Sequence, residues 1–145
     1  MFCLTQGALD TSALFSQWFE AHRGLNLGAF SSFCGIVRAE DGIEALSFDV
    51  YESLLKAWFE NWCEQVKHED ARLCFAHSLG EVRVHQSSFL AGVFSPHRKL
   101  SLRLINDFVE DFKKNAPIWK YDVIKGERIF AKERSHKLAG AGLLS

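Results

Sequence analysis

Five basic residues stand where a chain can hold cations against a small anionic ligand: Arg38, His97, Arg98, Lys113 and Lys120. Arginine presents a planar fork of N–H donors that suits a phosphate, whereas lysine presents a compact charge that can also transfer a proton. His97 and Arg98 open a predicted helix, where unpaired backbone N–H groups and the helix dipole favour an anion. These residue types predict a basic pocket for a phosphorylated metabolite, but they do not indicate which reaction takes place there.

The charge is divided unevenly along a chain whose formal net charge is −1. Residues 1–96 carry 6 Lys and Arg against 12 Asp and Glu, whereas residues 97–145 carry 11 against 6. A basic second half in a nearly neutral protein predicts a local anion site or a surface for an acidic partner. Nucleic-acid binding is not indicated, because the sequence has neither a Lys/Arg block nor a Gly-aromatic RNA-binding signature.

Two amphipathic helices must position these residues. Apolar residues at helical spacing predict one helix over residues 51–66 and another over residues 99–114. The second helix must stop before Pro117, and this leaves Lys113 at the edge of its apolar stripe. An apolar turn then follows, so we expect it to hold Lys120 against the same pocket.

A further helix is predicted near the start of the sequence, where it begins at a cap within Asp10 to Ser12 and ends before Gly24.

Strands account for most of the remaining chain. Alternating or continuous apolar runs predict strands over 28–37, 44–50, 72–79, 81–85, 88–94, 118–124 and 128–133. The first of these reads as a buried strand. Antiparallel strands mixed with two or three helices predict α+β architecture in a single domain over residues 1–145.

The composition favours a globular protein, since 48% of the residues are hydrophobic and 13% are aromatic. No apolar run reaches the roughly 20 residues that span a bilayer, so no membrane contact is expected. The first residues lack the features of a signal peptide, which predicts a cytoplasmic location. The four cysteines show no paired spacing and are expected to be buried free thiols, and no histidine spacing indicates a metal site.

Several of the candidate site residues also have a simpler interpretation, in which they bind no ligand. Lys113 would complement the dipole at the end of its helix, and Arg38 would be a solvated residue at a strand end. His97 would open a helix without binding a ligand. His77, in the segment HSLG, is interpreted as a structural residue at a strand end.

Four segments together resemble the large, catalytic subunit of molybdopterin synthase: GAFSSFCGIVR (28–38), FAHSLGEV (75–82), SPHR (95–98) and FKKNAPIWK (112–120). They occur in that family's order and near its spacing, and the resemblance covers residues 28 to 134. It implies an α/β hammerhead fold with an additional small antiparallel β-sheet. It also implies a sulfurtransferase of molybdenum cofactor biosynthesis, with no metal or cofactor of its own.

The resemblance implies partners as well. In that family a homodimer of large subunits carries a small ubiquitin-like sulfur-carrier subunit at each end, which makes a heterotetramer. The carrier's C-terminal Gly-Gly thiocarboxylate enters a pocket of the large subunit. Two sulfur atoms, one from each carrier, pass to cyclic pyranopterin monophosphate and give the dithiolene of molybdopterin.

Site residues carry over where the motifs match. The resemblance implies that Lys113 and Lys120 are catalytic and also bind substrate. It implies substrate binding by nine further residues: Phe33, Ile36, Val37, Arg38, His97, Arg98, Tyr121, Asp122 and Arg134. We expect the five basic residues named first to surround one cavity. The alternative is a non-catalytic module that binds a small acidic carrier protein through its basic half.

Overall fold

The computed structural model describes residues 1–131. Three helices and seven strands follow one another in this part of the chain: β1 (Phe2–Gln6), α1 (Thr11–Ala21), β2 (Ala29–Ile36), β3 (Ala45–Val50), α2 (Glu52–Lys67), β4 (Arg72–Arg83), β5 (Ser87–Ser95), α3 (Arg98–Asn115), β6 (Ile118–Ile124) and β7 (Glu127–Phe130). The predicted α+β class is confirmed. All three helices were predicted, and their observed ends lie within a few residues of the expected ones.

Strand β4 belongs to two parts of the sheet: a larger part with β1, β2 and β5, and a smaller part with β3, β6 and β7. Its first half, from Arg72 to His77, pairs antiparallel with β5, and β1 pairs with its other edge in parallel. From Gly80 onward it pairs antiparallel with β3 instead. Gly80 has a φ of +71°, which glycine adopts without strain. The prediction of two separate strands here was wrong, because this glycine changes the strand's partner without ending the strand.

The additional small antiparallel sheet is confirmed. It consists of the second half of β4 followed by β3, β6 and β7. Strands β6 and β7 are joined by Lys125 and Gly126, which both have positive φ, as a tight two-residue hairpin turn requires. The predicted last strand, residues 128–133, extends past the described part of the chain.

Helices cover both faces of the larger part of the sheet. Helices α2 and α3 pack on the face that carries Phe75, whose ring centre lies 5.7 Å from that of Phe108. Helix α1 packs on the opposite face, where Trp18 meets Cys74 and Phe94. Because successive side chains of a strand point to opposite faces, neighbouring residues of β4 contribute to two different cores.

Strand β2 lies at one end of the sheet and pairs only with β5 among the described strands. Ser32, Phe33 and Cys34 are exposed. The prediction of a buried strand was therefore wrong, since an edge strand has a neighbour on one side only. Helix α3 still packs against β2, and the Ser101 hydroxyl donates to that of Ser31 at 2.6 Å.

Candidate active site

A cavity of about 390 Å³ opens where the end of β2, the end of α3 and the start of β6 meet. Six of the residues singled out in the sequence line it: Phe33, Ile36, Val37, Arg38, Lys113 and Lys120. The structure thus brings together three cations from separate segments of the chain. The cavity is wide enough for a small organic anion.

The two lysines meet because α3 ends abruptly. Ala116 caps the helix in an extended conformation, and β6 begins two residues later, paired with β3. The buried side chains of Ala116 and Ile118 anchor this turn in the core. Lys120 lies two residues beyond Ile118 and therefore on the same side of β6. Lys113 is exposed at the rim of the cavity, whereas Lys120 is half-buried in its wall.

Arg38 stands at the rim, directly after β2. The backbone before it is fixed, because Val37 N–H donates to the Gln86 carbonyl at 2.9 Å and Val37 C=O accepts from His85 at 2.7 Å. The Arg38 side chain is 80% exposed and pairs with Glu40 at 3.1 Å. An exposed ion pair of this kind contributes little stability, so the guanidinium can exchange its carboxylate for a bound anion.

The floor of the cavity is aromatic and holds one titratable group, His77. Its ring centre lies 4.8 Å from that of Phe48 and 5.5 Å from that of Phe112. Only 2% of the residue is exposed. The pKa of His77 is lowered to about 4, mainly because the ring is buried. The hydrogen bond from Nδ1 to the Ser78 carbonyl raises the pKa, whereas the nearby charge of Lys113 lowers it. The imidazole is therefore neutral at pH 7.

His97 and Arg98 lie away from this cavity. They stand at the start of α3, where both are exposed, whereas Lys113 stands near its end. At 1.5 Å per residue, this unbroken helix holds Arg98 and Lys113 about 22 Å apart. The expectation that all five basic residues surround one cavity is wrong for a single chain, because a continuous helix separates its two ends.

The remaining residues expected at the site fall in three places. Tyr121 lies on the opposite face of β6 from Lys120, with the Arg128 guanidinium 3.9 Å from the centre of its ring. It does not line the cavity, because adjacent residues of a strand face opposite sides. Asp122 shares the face of Lys120 but is not among the lining residues. Arg134 lies outside the described residues.

All four cysteines are free thiols, as expected. The prediction that they are buried is confirmed for Cys74 alone. Cys3 and Cys63 are half-buried, and Cys34 is exposed at the edge of the cavity, where it donates to the Ser87 hydroxyl at 3.3 Å. Within residues 1–131, no group of three or more His, Cys, Asp or Glu side chains could hold a metal ion. None of the described helices is long and apolar enough to cross a membrane.

Fold and site together define an α+β protein with a cationic cavity, in which two lysines and an arginine surround an aromatic floor. The family model described as "MoaE protein" matches residues 4–115. The molybdopterin synthase catalytic subunit of Helicobacter pylori (strain ATCC 700392 / 26695) is 54% identical over 145 residues, which is 100% of both chains. The chain belongs to this family, as the resemblance in its motifs predicted.

A more distant relative and two solved structures also match this chain. The molybdopterin synthase catalytic subunit of Dictyostelium discoideum is 30% identical over 110 residues, which is 71% of this chain and 70% of that protein. A chain in the structure titled "Protein-protein complex of subunit 1 and 2 of Molybdopterin-converting factor from Helicobacter pylori 26695" superposes with a TM-score of 0.91 at 53% identity, covering 99% of each chain. Molybdopterin synthase from Staphylococcus aureus has the same fold, with a TM-score of 0.76 at 22% identity over 88% of this chain and 93% of that one.

Proposed function

We propose that this protein is the catalytic subunit of a cytoplasmic molybdopterin synthase. It takes sulfur from the C-terminal thiocarboxylate of a small ubiquitin-like carrier subunit and transfers it to cyclic pyranopterin monophosphate. The observation that carries the proposal is the convergence of Arg38, Lys113 and Lys120 on one cavity. It occurs in a chain that is 54% identical, over its whole length, to a protein named molybdopterin synthase catalytic subunit.

The reaction makes demands that this cavity meets. The carrier's sulfur bonds to a carbon of the pterin side chain, and the cyclic phosphate opens. Water then attacks the acyl carbon and breaks its bond to sulfur, so the carrier leaves with an ordinary C-terminal carboxylate. Negative charge develops on the acyl oxygen and on the phosphate oxygen that is released. Fixed cations stabilise such charges more than water does, because they need no reorganisation during the reaction. We place Lys113 and Lys120 at the reacting centre and Arg38 on the phosphate.

The residues at the mouth of the cavity support the proposal that the carrier subunit is the source of sulfur. Phe33 is 40% exposed and Ile36 is 59% exposed, and both line the cavity beside the edge of β2. An apolar mouth suits the two glycines before the anionic thiocarboxylate, since they carry no charge and have no side chains to obstruct entry. The related H. pylori chain was solved in a complex described as subunits 1 and 2 of a molybdopterin-converting factor.

A homodimer within a heterotetramer accounts for His97 and Arg98. The family resemblance assigns both residues to the substrate, yet α3 holds Arg98 about 22 Å from Lys113 in the same chain. In a two-fold dimer each chain presents the same surface to the other, so a residue far from its own cavity can complete its partner's. We therefore propose that each copy supplies His97 and Arg98 to the cavity of the other.

The test separates catalysis from simple carrier binding. Purified protein is mixed with thiocarboxylated carrier and cyclic pyranopterin monophosphate, and the dithiolene product is followed by mass spectrometry. Carrier with an ordinary C-terminal carboxylate is the matched control, since it can occupy the cavity but has no sulfur to give. Product formation with the first carrier alone is the expected result. Binding of both carriers without any product would support the non-catalytic module and overturn the proposal.

A further inference from the structure

We infer that His77 is a positioning residue for Lys113: its neutral Nε2 accepts a hydrogen bond from the Lys113 ammonium when substrate fills the cavity. This inference rests on the proposed function. It assigns a task to a side chain that the sequence suggested was merely structural.

The tautomer of His77 is fixed by its neighbour. Nδ1 lies 2.8 Å from the Ser78 carbonyl oxygen, which can only accept a hydrogen bond, so Nδ1 carries a proton. The low pKa of the buried ring means that it holds no second proton at pH 7. Nε2 is therefore left with a free lone pair and acts as an acceptor.

Aromatic rings hold the imidazole in place. The rings of Phe48 and Phe89 stand nearly perpendicular to it, at 86° and 87°, and Phe112 lies against it at 5.5 Å. These rings offer no N–H or O–H donor to Nε2. Among the described residues, no hydrogen bond to Nε2 is formed, and His77 contributes to the lining of the cavity. The acceptor is thus available to a donor that enters from that side.

Lys113 is the donor placed to do so. It follows Phe112, the residue of α3 that packs on the imidazole, and it lines the same cavity. Its charge already acts on His77, because it lowers the pKa of the ring. Within the described chain Lys113 forms no hydrogen bond or ion pair, so its three N–H donors face solvent. A substrate that displaces this water leaves the ammonium in need of an acceptor, which Nε2 supplies.

Two variants of His77 separate the acceptor from the rest of the side chain. His77→Asn keeps an N–H donor for the Ser78 carbonyl, but its shorter side chain has no acceptor at the position of Nε2. His77→Gln reaches farther and can place an amide oxygen near the position of Nε2. We expect the Asn variant to lower kcat about tenfold, the effect of losing one hydrogen bond to a charged group. KM for the pterin should stay within about twofold, and Gln should recover most of kcat.

A double-mutant cycle with Lys113→Ala gives the decisive readout. If His77 acts through Lys113, adding His77→Asn to Lys113→Ala leaves kcat nearly unchanged. If the two substitutions instead reduce kcat independently, so that their fold-losses multiply in the double variant, His77 acts on its own and the inference is overturned. A raised KM for the pterin in His77→Asn would have the same meaning. His77→Phe, which fills the aromatic cage without polar atoms, gives a second cycle should the Asn variant fail to fold. Unchanged kcat in Lys113→Ala alone would instead overturn the proposed function, and this inference with it.

Discussion

At the residue scale, the cavity combines cations of different exposure with a neutral histidine at its floor. Lys120 is half-buried, whereas Arg38 and Lys113 are exposed at the rim. A partly desolvated cation stabilises a developing negative charge more strongly than a fully hydrated one. A neutral His77 adds no further positive charge, so the ring can serve as an acceptor beside the lysines.

His77 makes a testable contribution to the pH dependence of stability. Its pKa falls from 6.5 to about 4 on folding, so between these values the unfolded chain binds a proton that the folded chain does not. The free energy of unfolding must therefore decrease as pH falls through this window, by roughly 2 kcal/mol between pH 7 and pH 4.5.

The measurement is urea unfolding of the wild type and of His77→Gln at both pH values. We expect the loss of stability on acidification to be smaller in the variant by roughly 2 kcal/mol, the share of the missing imidazole. Asp111 does not interfere, because its pKa is lowered from 3.8 and it protonates below this window. Identical acid sensitivity of the two proteins would show that His77 titrates normally in the folded state.

Sequence reasoning succeeded for some residues of the site and not for others. Lys113 and Lys120 were predictable because a helix end and a proline fix where each must lie. The placement of His77 at a strand end was wrong, because β4 continues to Arg83. Nothing local reveals that four aromatic rings from three strands and one helix converge on this residue. The only signal was an ionisable residue within an apolar strand.

At the element scale, helix α2 fixes the end of α3 and thereby the position of Lys113. Asp111, two residues before Lys113, accepts hydrogen bonds from the indole N–H groups of Trp58 at 2.9 Å and Trp62 at 2.6 Å. Asn115 donates to its other oxygen at 2.6 Å. Burial opposes the ionisation of Asp111, but these hydrogen bonds outweigh it and lower its pKa.

Replacing Asp111 should loosen this junction. Asp111→Ala leaves two indole N–H groups without their acceptor, so we expect it to lower the free energy of unfolding by about 2 kcal/mol. Asp107→Ala is the matched control one turn earlier in α3, where the carboxylate's one ion pair within residues 1–131 is an exposed 4.0 Å contact with Arg103. Thermal and urea unfolding provide the comparison. Equal stability of the two variants would mean that the hydrogen bonds to Asp111 do not hold the helices together.

The helices were predictable and the complete strand pairing was not. Helices α2 and α3 have apolar residues at every turn, a pattern that depends on local sequence alone. Strand β1 has only five residues and is defined by its parallel pairing with β4, where Phe2 lies opposite Phe75. Such long-range pairing leaves little trace in a short segment.

At the scale of the whole molecule, α3 separates two parts of the proposed site. Lys113 lies at the cavity, and Arg98 lies about 22 Å away at the other end of the helix. If a second copy brings Arg98 to the cavity, each complete site draws on two chains. Two variants that are inactive for different reasons can then restore one another.

Mixing the two variants tests this arrangement. Arg98→Ala and Lys113→Ala, each poorly active alone, are unfolded together and refolded so that chains combine at random. Half of the dimers are then mixed, and each mixed dimer has one intact site, so about a quarter of the wild-type turnover should return. A mixture that is no more active than its components would place Arg98 outside the partner's cavity.

We propose that sulfur passes from carrier to pterin in the cavity lined by Lys113 and Lys120. The most direct measurement is a single turnover with isotopically labelled sulfur in the carrier thiocarboxylate, with the label followed into the pterin. We expect Lys120→Ala to slow the transfer by about 10²-fold or more at unchanged carrier affinity and melting temperature. Lys114→Ala, which removes an exposed lysine outside this cavity, should match the wild type. Transfer at the wild-type rate in folded Lys120→Ala would contradict the claim.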